Sequence, residues 1–307
     1  MAETAIGRRR IRRSRAKEDR EALELGKGRA RPAGARLPLL TALLVGGLVF
    51  LFPFYYMIIG SFQRAPNAEV SGAFPSLANL TLDNYVSIDD AISLGRTLLN
   101  SGIFTGGVLL ATLVLGLLAG YALAQLEFRG RGVVFNGMLL VLIVPFQLLM
   151  IPLYVMIVRW YGLADSYLGM ILPFAVNPTA VFIFRQFFKQ IPIDLFDAAR
   201  IDGASELQVL RRIAIPVAKP AIITAVIVTF IGPWNEFLWP FLITKDASLQ
   251  PLAVALANYI SNVAARAANP FGAILAGATV LAVPAVGLFL AFQRKFVQAQ
   301  LGSSVKG

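Results

Sequence analysis

The sequence has 307 residues, 57% of them hydrophobic and only 15% charged, with a mean hydropathy of +0.69. A single soluble core cannot bury that much apolar surface, so the composition points to an all-α chain that crosses a membrane several times. Lys and Arg outnumber Asp and Glu by 28 to 17, a net charge of +11, and there is no Cys and no His, which excludes disulfides, thiol nucleophiles, thiolate metal sites and imidazole-based catalysis or metal binding.

Residues 1–36 form a region of their own, with twelve Lys/Arg, five acids and few large apolar side chains. They read as a disordered, basic cytoplasmic tail in contact with anionic lipid. No aromatic residue is interleaved with the arginine run, which argues against nucleic-acid binding. Residues 37–307 read as a membrane domain. Six hydrophobic segments, near 37–60, 96–124, 133–158, 168–184, 220–243 and 270–293, are long enough to cross a hydrocarbon core of about 30 Å. With the N-terminus inside, the segments 1–36, 125–132, 185–219 and 294–307 carry 23 of the 28 basic residues. That bias puts both termini in the cytoplasm, which requires an even number of spans. In the second span, Gly102 and Gly106, then Gly116 and Gly120, supply small residues for close helix packing.

Polar groups inside spans are costly and tend to face protein or water. The candidates are Gln147, Asn177, Thr224, Thr229, Asn235 and Glu236, the last being the one acid within a predicted span. Trp234 and Trp239 flank Glu236. Two uses of that cluster are open: aromatic faces and hydrogen-bonding groups for a solute on a transmembrane pathway, or an interfacial aromatic belt at the outer end of the fifth span. Asn177, beside Pro178, has a local use as well, satisfying backbone groups at a kink. The sequence offers no catalytic constellation and no metal-ligand cluster.

The loop 185–219 is too punctuated for a linker. Pro192 stops one helix, Asp194 is placed to cap the next, and Asp197 complements its dipole. Leu195, Ala198, Ala199 and Asp202 fall on one side of that short helix. Gly203 ends it, where a positive φ comes easily. Ser205 and Gln208 form a capping-box pair for a second helix, which runs through Ile213 until Pro216 breaks it. The pattern predicts two short helices hinged at Gly203. Ala198 and Ala199 let another surface come close to the backbone.

The run Asp197-Ala198-Ala199-Arg200-Ile201-Asp202-Gly203-Ala204, followed by Ile213-Ala214-Ile215-Pro216, resembles the "EAA---G---------I-LP" loop of the membrane subunits of binding-protein-dependent ABC importers. Asp197 replaces the usual Glu and keeps the charge. Asn100-Ser101, Gly120-Tyr121-Ala122, Gly162-Leu163-Ala164-Asp165 and Trp234-Asn235-Glu236-Phe237 resemble the carbohydrate, or maltose-type, branch. The resemblance covers residues 75–307. It implies a multi-pass permease of a bacterial inner membrane that takes up a sugar delivered by an extracytoplasmic solute-binding protein. It also implies a second homologous permease and two ATPase subunits carrying ATP and Mg, with no cofactor on this chain. The coupling site it implies is Asp194, Asp197, Ala198, Ala199, Asp202, Gly203, Ala204, Ile213 and Pro216. Pathway candidates are Gln147, Asn177, Trp234, Asn235 and Glu236. None of the seven lysines precedes Ser or Thr, so the chain carries no Walker A loop for hydrolysing ATP. The alternative, an ion-coupled secondary transporter of a small polar solute, ordinarily needs intramembrane carboxylates, and Glu236 is a thin supply.

Overall fold

A computed structural model describes residues 33–67, 69–264 and 269–304; of the basic tail, residues 1–32 therefore lie outside the described residues. Among the described residues the chain is helical, apart from one isolated antiparallel bridge between Gln63 and Leu80. It divides into two compact units, Met1–Tyr55 and Tyr56–Gly307. The first holds most of helix α1 (Ala33–Ser61), which starts four residues before the predicted span and presents exposed Leu43, Leu48 and Phe50.

The second unit is built around α3 (Leu94–Gln125). Its most extensive partner is α7 (Pro178–Gln190), and α10 (Lys219–Asn235) packs on both. Leu117 and Tyr121 of α3, Ala180, Phe184 and Phe188 of α7, and Ala221 and Ala225 of α10 make one buried cluster. Glycine on α3 allows the close approach, but only on part of the predicted stripe. A Cβ at Gly120 would lie 2.6 Å from the Phe184 Cβ, and one at Gly116 would lie 3.2 Å from its ring. At Gly102 and Gly106 it would meet nothing within 4 Å, and Gly107 is the residue that faces Ile171 instead. Elsewhere α2 (Asp83–Ile92) and α12 (Leu252–Asn262) pack on α13 (Pro270–Ser304) through Ile88, Leu256, Tyr259 and Ala276.

Three helices are long and apolar enough to cross a membrane unbroken: Pro38–Ser61, Leu94–Gln125 and Pro270–Gln293. The third and fourth predicted spans are bent pairs, and the fifth passes the same test only together with the preceding helix, Glu206–Val217, at a bend of 75°. The segment 133–158 is split between α4 (Arg131–Val141) and α5 (Phe146–Trp160) at 98°. Pro145 has no amide to donate and disfavours helix at Val144, so the apolar run turns a corner. The fourth is α6 (Tyr167–Phe174) and α7, bent by 49°. There Asn177 caps α7, accepting from the amides of Thr179 at 3.0 Å and Ala180 at 3.2 Å, and Pro178 opens the helix. The fifth ends early, at Asn235; after an extended Glu236 it restarts as α11 (Leu238–Ile243).

Candidate functional site

Helix α8 (Ile193–Ile201) and helix α9 (Glu206–Val217) occupy the 185–219 loop. Pro192, with extended ψ, takes the N-cap position of α8. Asp194 therefore sits inside the first turn rather than at the cap, with its charge near the positive helix end but no capping bond. Phe196 is fully buried and pins α8 to the core of the second unit. Around it, Asp194, Leu195, Ala198 and Asp202 are exposed, and Ile201 is 85% exposed. Ala199 turns partly inward onto the core and Asp197 is half-buried, so the predicted four-residue stripe loses one member.

Gly203 closes the turn with φ +83°, its amide donating to Arg200 O and that of Ala204 to Ala199 O. This left-handed conformation is cheap only for glycine and, to a lesser degree, Asn. A Cβ there would meet nothing within 4 Å. The capping box is complete: the Ser205 amide donates to Gln208 Oε1 at 2.8 Å and the Gln208 amide to Ser205 Oγ at 3.4 Å. Within α9, Val209, Leu210 and Ala214 are buried, Ile213 packs half-buried on the same core, and Leu207 is exposed. Pro216 does not end the helix. Residues Leu210–Ala214 widen to a π turn, and the 75° bend into α10 comes at Ala218. A π segment ahead of a proline relieves the ring clash that would otherwise break the helix there.

Acidic and basic groups meet across the turn. Arg200 Nη1 lies 2.8 Å from Asp197 Oδ1, Arg200 Nε lies 2.7 Å from Glu206 Oε1, and Tyr121 Oη donates to Glu206 Oε2 at 2.6 Å. The Arg200 bond, helped by the Tyr121 hydroxyl, holds Glu206, which precedes the fifth span, below the ordinary carboxylate range. Glu206 has no place in the sequence reading, and Tyr121 enters it only within the Gly120-Tyr121-Ala122 resemblance; the two stand 85 positions apart.

Glu236, among the pathway candidates, is hydrogen-bonded to the Trp239 backbone. Trp234 is buried, stacks on Phe230 at 5.6 Å and donates its indole N–H to Leu281 O at 2.9 Å. Trp239 is fully buried and donates to Gly169 O at 3.2 Å. Both rings are thus held inside the chain. Glu236 Oε1 accepts from the Trp239 amide at 3.1 Å, and Asn235, exposed, donates to Ile231 O at 3.1 Å. Gln147 is exposed in the first turn after the bend at Pro145. Thr224 and Thr229 bond back to the carbonyls of Pro220 and Ala225, one helical turn earlier.

A polar knot missing from those candidates joins α3 to the segment before α12. Asn100 is 1% exposed and donates to Ser248 O and Gln250 O at 3.0 Å each, while Tyr167 Oη donates to Asn100 Oδ1 at 2.6 Å. Beside it lies an open cavity of about 400 Å³ lined by Arg96, Thr97, Gln250, Asn258, Tyr259 and Asn262. The one sequence signal for the knot is a polar Asn-Ser pair near the start of an apolar span.

Residues 112–300 match the family model described as "Binding-protein-dependent transport system inner membrane component". The chain belongs to that family. The permease is similar to the arabinooligosaccharides transport system permease protein AraQ of Bacillus subtilis (strain 168), 32% identical over 280 residues that cover 89% of this chain and 96% of AraQ. It is 34% identical over 254 residues to the trehalose transport system permease protein SugB of Mycobacterium tuberculosis, covering 81% of this chain and 90% of SugB. It is 31% identical over 270 residues to the sn-glycerol-3-phosphate transport system permease protein UgpE of Yersinia pestis, covering 85% of this chain and 94% of UgpE. Its fold is similar to a chain in the crystal structure of a bacterial ABC transporter involved in the import of the acidic polysaccharide alginate. The TM-score there is 0.73 at 22% identity, over 86% of this chain and 98% of that one. The permease is thus a multi-pass protein of a bacterial inner membrane.

Proposed function

We propose that this permease imports a sugar or a related polyol through a six-span membrane domain, residues 37–307, with both termini cytoplasmic. A second homologous permease completes the pathway. Two ATPase subunits, which hold ATP and Mg, dock on the α8–α9 loop, and an extracytoplasmic solute-binding protein delivers the solute. The observation that carries the reading is the exposed face of α8, Leu195, Ala198, Ile201 and Asp202, held by the buried Phe196 and ended by the left-handed Gly203. A short, rigidly anchored helix with small, apolar and acidic groups outward is a surface made for another protein. The transport roles in the names of the AraQ, SugB and UgpE relatives support the solute class.

Reconstitution with the partner permease, ATPase and binding protein in proteoliposomes tests it, using tritiated trehalose, arabinotriose and sn-glycerol 3-phosphate. Uptake of at least one is expected to require ATP and the binding protein and to survive a protonophore. Uptake that continues without ATP and collapses with the protonophore would favour an ion-coupled carrier and reject the proposal.

A further inference from the structure

We propose that Tyr121, Glu206 and Arg200 form a brace that fastens the α8–α9 corner to α3, so that a push on α8 is delivered to a membrane helix instead of being lost in the turn. The inference rests on the coupling role proposed above for this loop, and it adds Tyr121 and Glu206 as positioning residues.

The need for a brace follows from helix lengths. Helix α8 has nine residues, and the regular α-helical part of α9 before its π segment has four. Isolated helices below about 12–15 residues are marginal in water. A glycine turn between two such pieces would act as a loose hinge, and a loose hinge absorbs displacement. The side chains remove that freedom. Arg200, at the end of α8, is gripped from both sides of Gly203: by Asp197 one turn back at 2.8 Å and by Glu206, the first residue of α9, at 2.7 Å. The turn predicted as a hinge is thus a spanned corner.

Exposed ion pairs alone hold little, and Arg200 and Glu206 are 27% and 44% exposed. The third bond supplies the anchor. Tyr121 is 3% exposed, and its hydroxyl reaches the other Glu206 oxygen at 2.6 Å. Its ring is edge-on to Phe188 of α7 at 5.7 Å and to Phe196 of α8 at 6.2 Å. Tyr121 therefore belongs to α3, packs on α7 and α8 through its ring, and bonds to α9 through its hydroxyl. Both Glu206 oxygens are occupied, so the carboxylate is fixed in position and the fixed carboxylate orients Arg200. The bonds matter for geometry, because a displacement of α8 then moves Arg200, Glu206 and Tyr121 together.

The test is the amount of tritiated solute moved per ATP hydrolysed by the reconstituted complex, using trehalose, or arabinotriose or sn-glycerol 3-phosphate where the binding protein selects it. Tyr121→Phe keeps the ring and deletes the hydroxyl. Solute moved per ATP is expected to fall roughly tenfold, as for loss of a hydrogen bond to a charged group, while ATPase recovery on purification stays at the unmutated level. Glu206→Gln leaves one acceptor where two are used, and Arg200→Ala removes the grip on both carboxylates, so each should lower the ratio as well. An unchanged ratio in Tyr121→Phe overturns the proposal. So does a Tyr121→Phe complex that loses ATPase in step with transport, which would make the hydroxyl bond a requirement for docking and not for passing on the push. If the importer reading itself is wrong, the unmutated complex shows no ATP-dependent uptake, a result separate from all of these.

Discussion

Gly203 offers the sharpest single-residue test of the loop, because its structure separates backbone strain from steric contact. Its φ of +83° is left-handed, and a Cβ placed on it touches nothing within 4 Å. Substitution therefore costs only the backbone penalty, about 1–2 kcal/mol for an ordinary L-residue. That is roughly a 5–30-fold loss of the correct corner relative to competing turns. Asn enters the left-handed region more readily than Ala, and a β-branched side chain enters it worst. The expected order of solute moved per ATP is Gly203 first, then Gly203→Asn, Gly203→Ala and Gly203→Val, with membrane insertion intact in all four. Proteoliposome uptake with parallel ATP hydrolysis reads the order, and recovery of the ATPase on purification reads docking. If Gly203→Asn falls below Gly203→Ala, bulk against a partner surface decides, and the backbone argument is refuted.

Three further outcomes follow from particular contacts. Asn100→Leu leaves the Gln250 carbonyl and the Tyr167 hydroxyl without their partner, and the Ser248 carbonyl with Arg96 Nε alone, so the melting curve in detergent should record a loss of about 2–4 kcal/mol; an unchanged midpoint would remove the knot from the stability of the fold. Gly120→Ala drives a methyl to 2.6 Å from the Phe184 Cβ and 3.1 Å from the Arg185 backbone nitrogen, an overpacking cost of about 1–3 kcal/mol, whereas Gly106→Ala meets nothing and should be neutral or stabilising; equal melting behaviour of the two would contradict the packing of α3 on α7. Glu236→Gln keeps an acceptor for the Trp239 amide and removes the charge, so it should leave stability alone and lower uptake if the carboxylate contacts solute; wild-type uptake would strike Glu236 from the pathway.

The parts of this structure legible in the sequence are those settled within a few residues. The Ser205–Gln208 box and the capping by Asn177 each depend on a side chain and an amide two or three positions away, and the positive φ at Gly203 depends on that residue's own lack of a Cβ. Hydropathy likewise finds the apolar stretches, since it sums residues along the chain. It cannot see direction: the run 133–158 reads as one span, yet Pro145 folds it through 98°. Nor does it see what lies opposite a side chain. The Trp234 and Trp239 indoles find carbonyls 47 and 70 positions away, and the spacing that marks Gly116 and Gly120 as a contact face marks Gly102 and Gly106 equally, although α7 meets only the first pair. Tyr121 shows the same limit, because nothing in an apolar helix announces a hydroxyl partner on a cytoplasmic loop.

The broken spans also reorder the candidates for solute contact. A helix break inside a membrane exposes backbone groups that must be satisfied by protein or by water lining a cavity. Some polar residues in spans exist for that reason alone, and the test is how much hydrogen-bonding capacity remains after the backbone is served. Asn177 spends its oxygen on two amides of its own helix. Trp234 and Trp239 have each spent their one donor. Glu236 gives one oxygen to the Trp239 amide and keeps the other, while Asn235 donates to Ile231 O and keeps its amide oxygen. These two adjacent acceptors stand at the gap between α10 and α11, where the chain is extended and Asn235 is exposed. Sugar hydroxyls are donors as well as acceptors, so leftover acceptors at a helix break are what a polyol would use. On this reasoning Asn235 and Glu236 move ahead of Asn177 and the tryptophans, and the first mutations for solute selectivity belong at that gap.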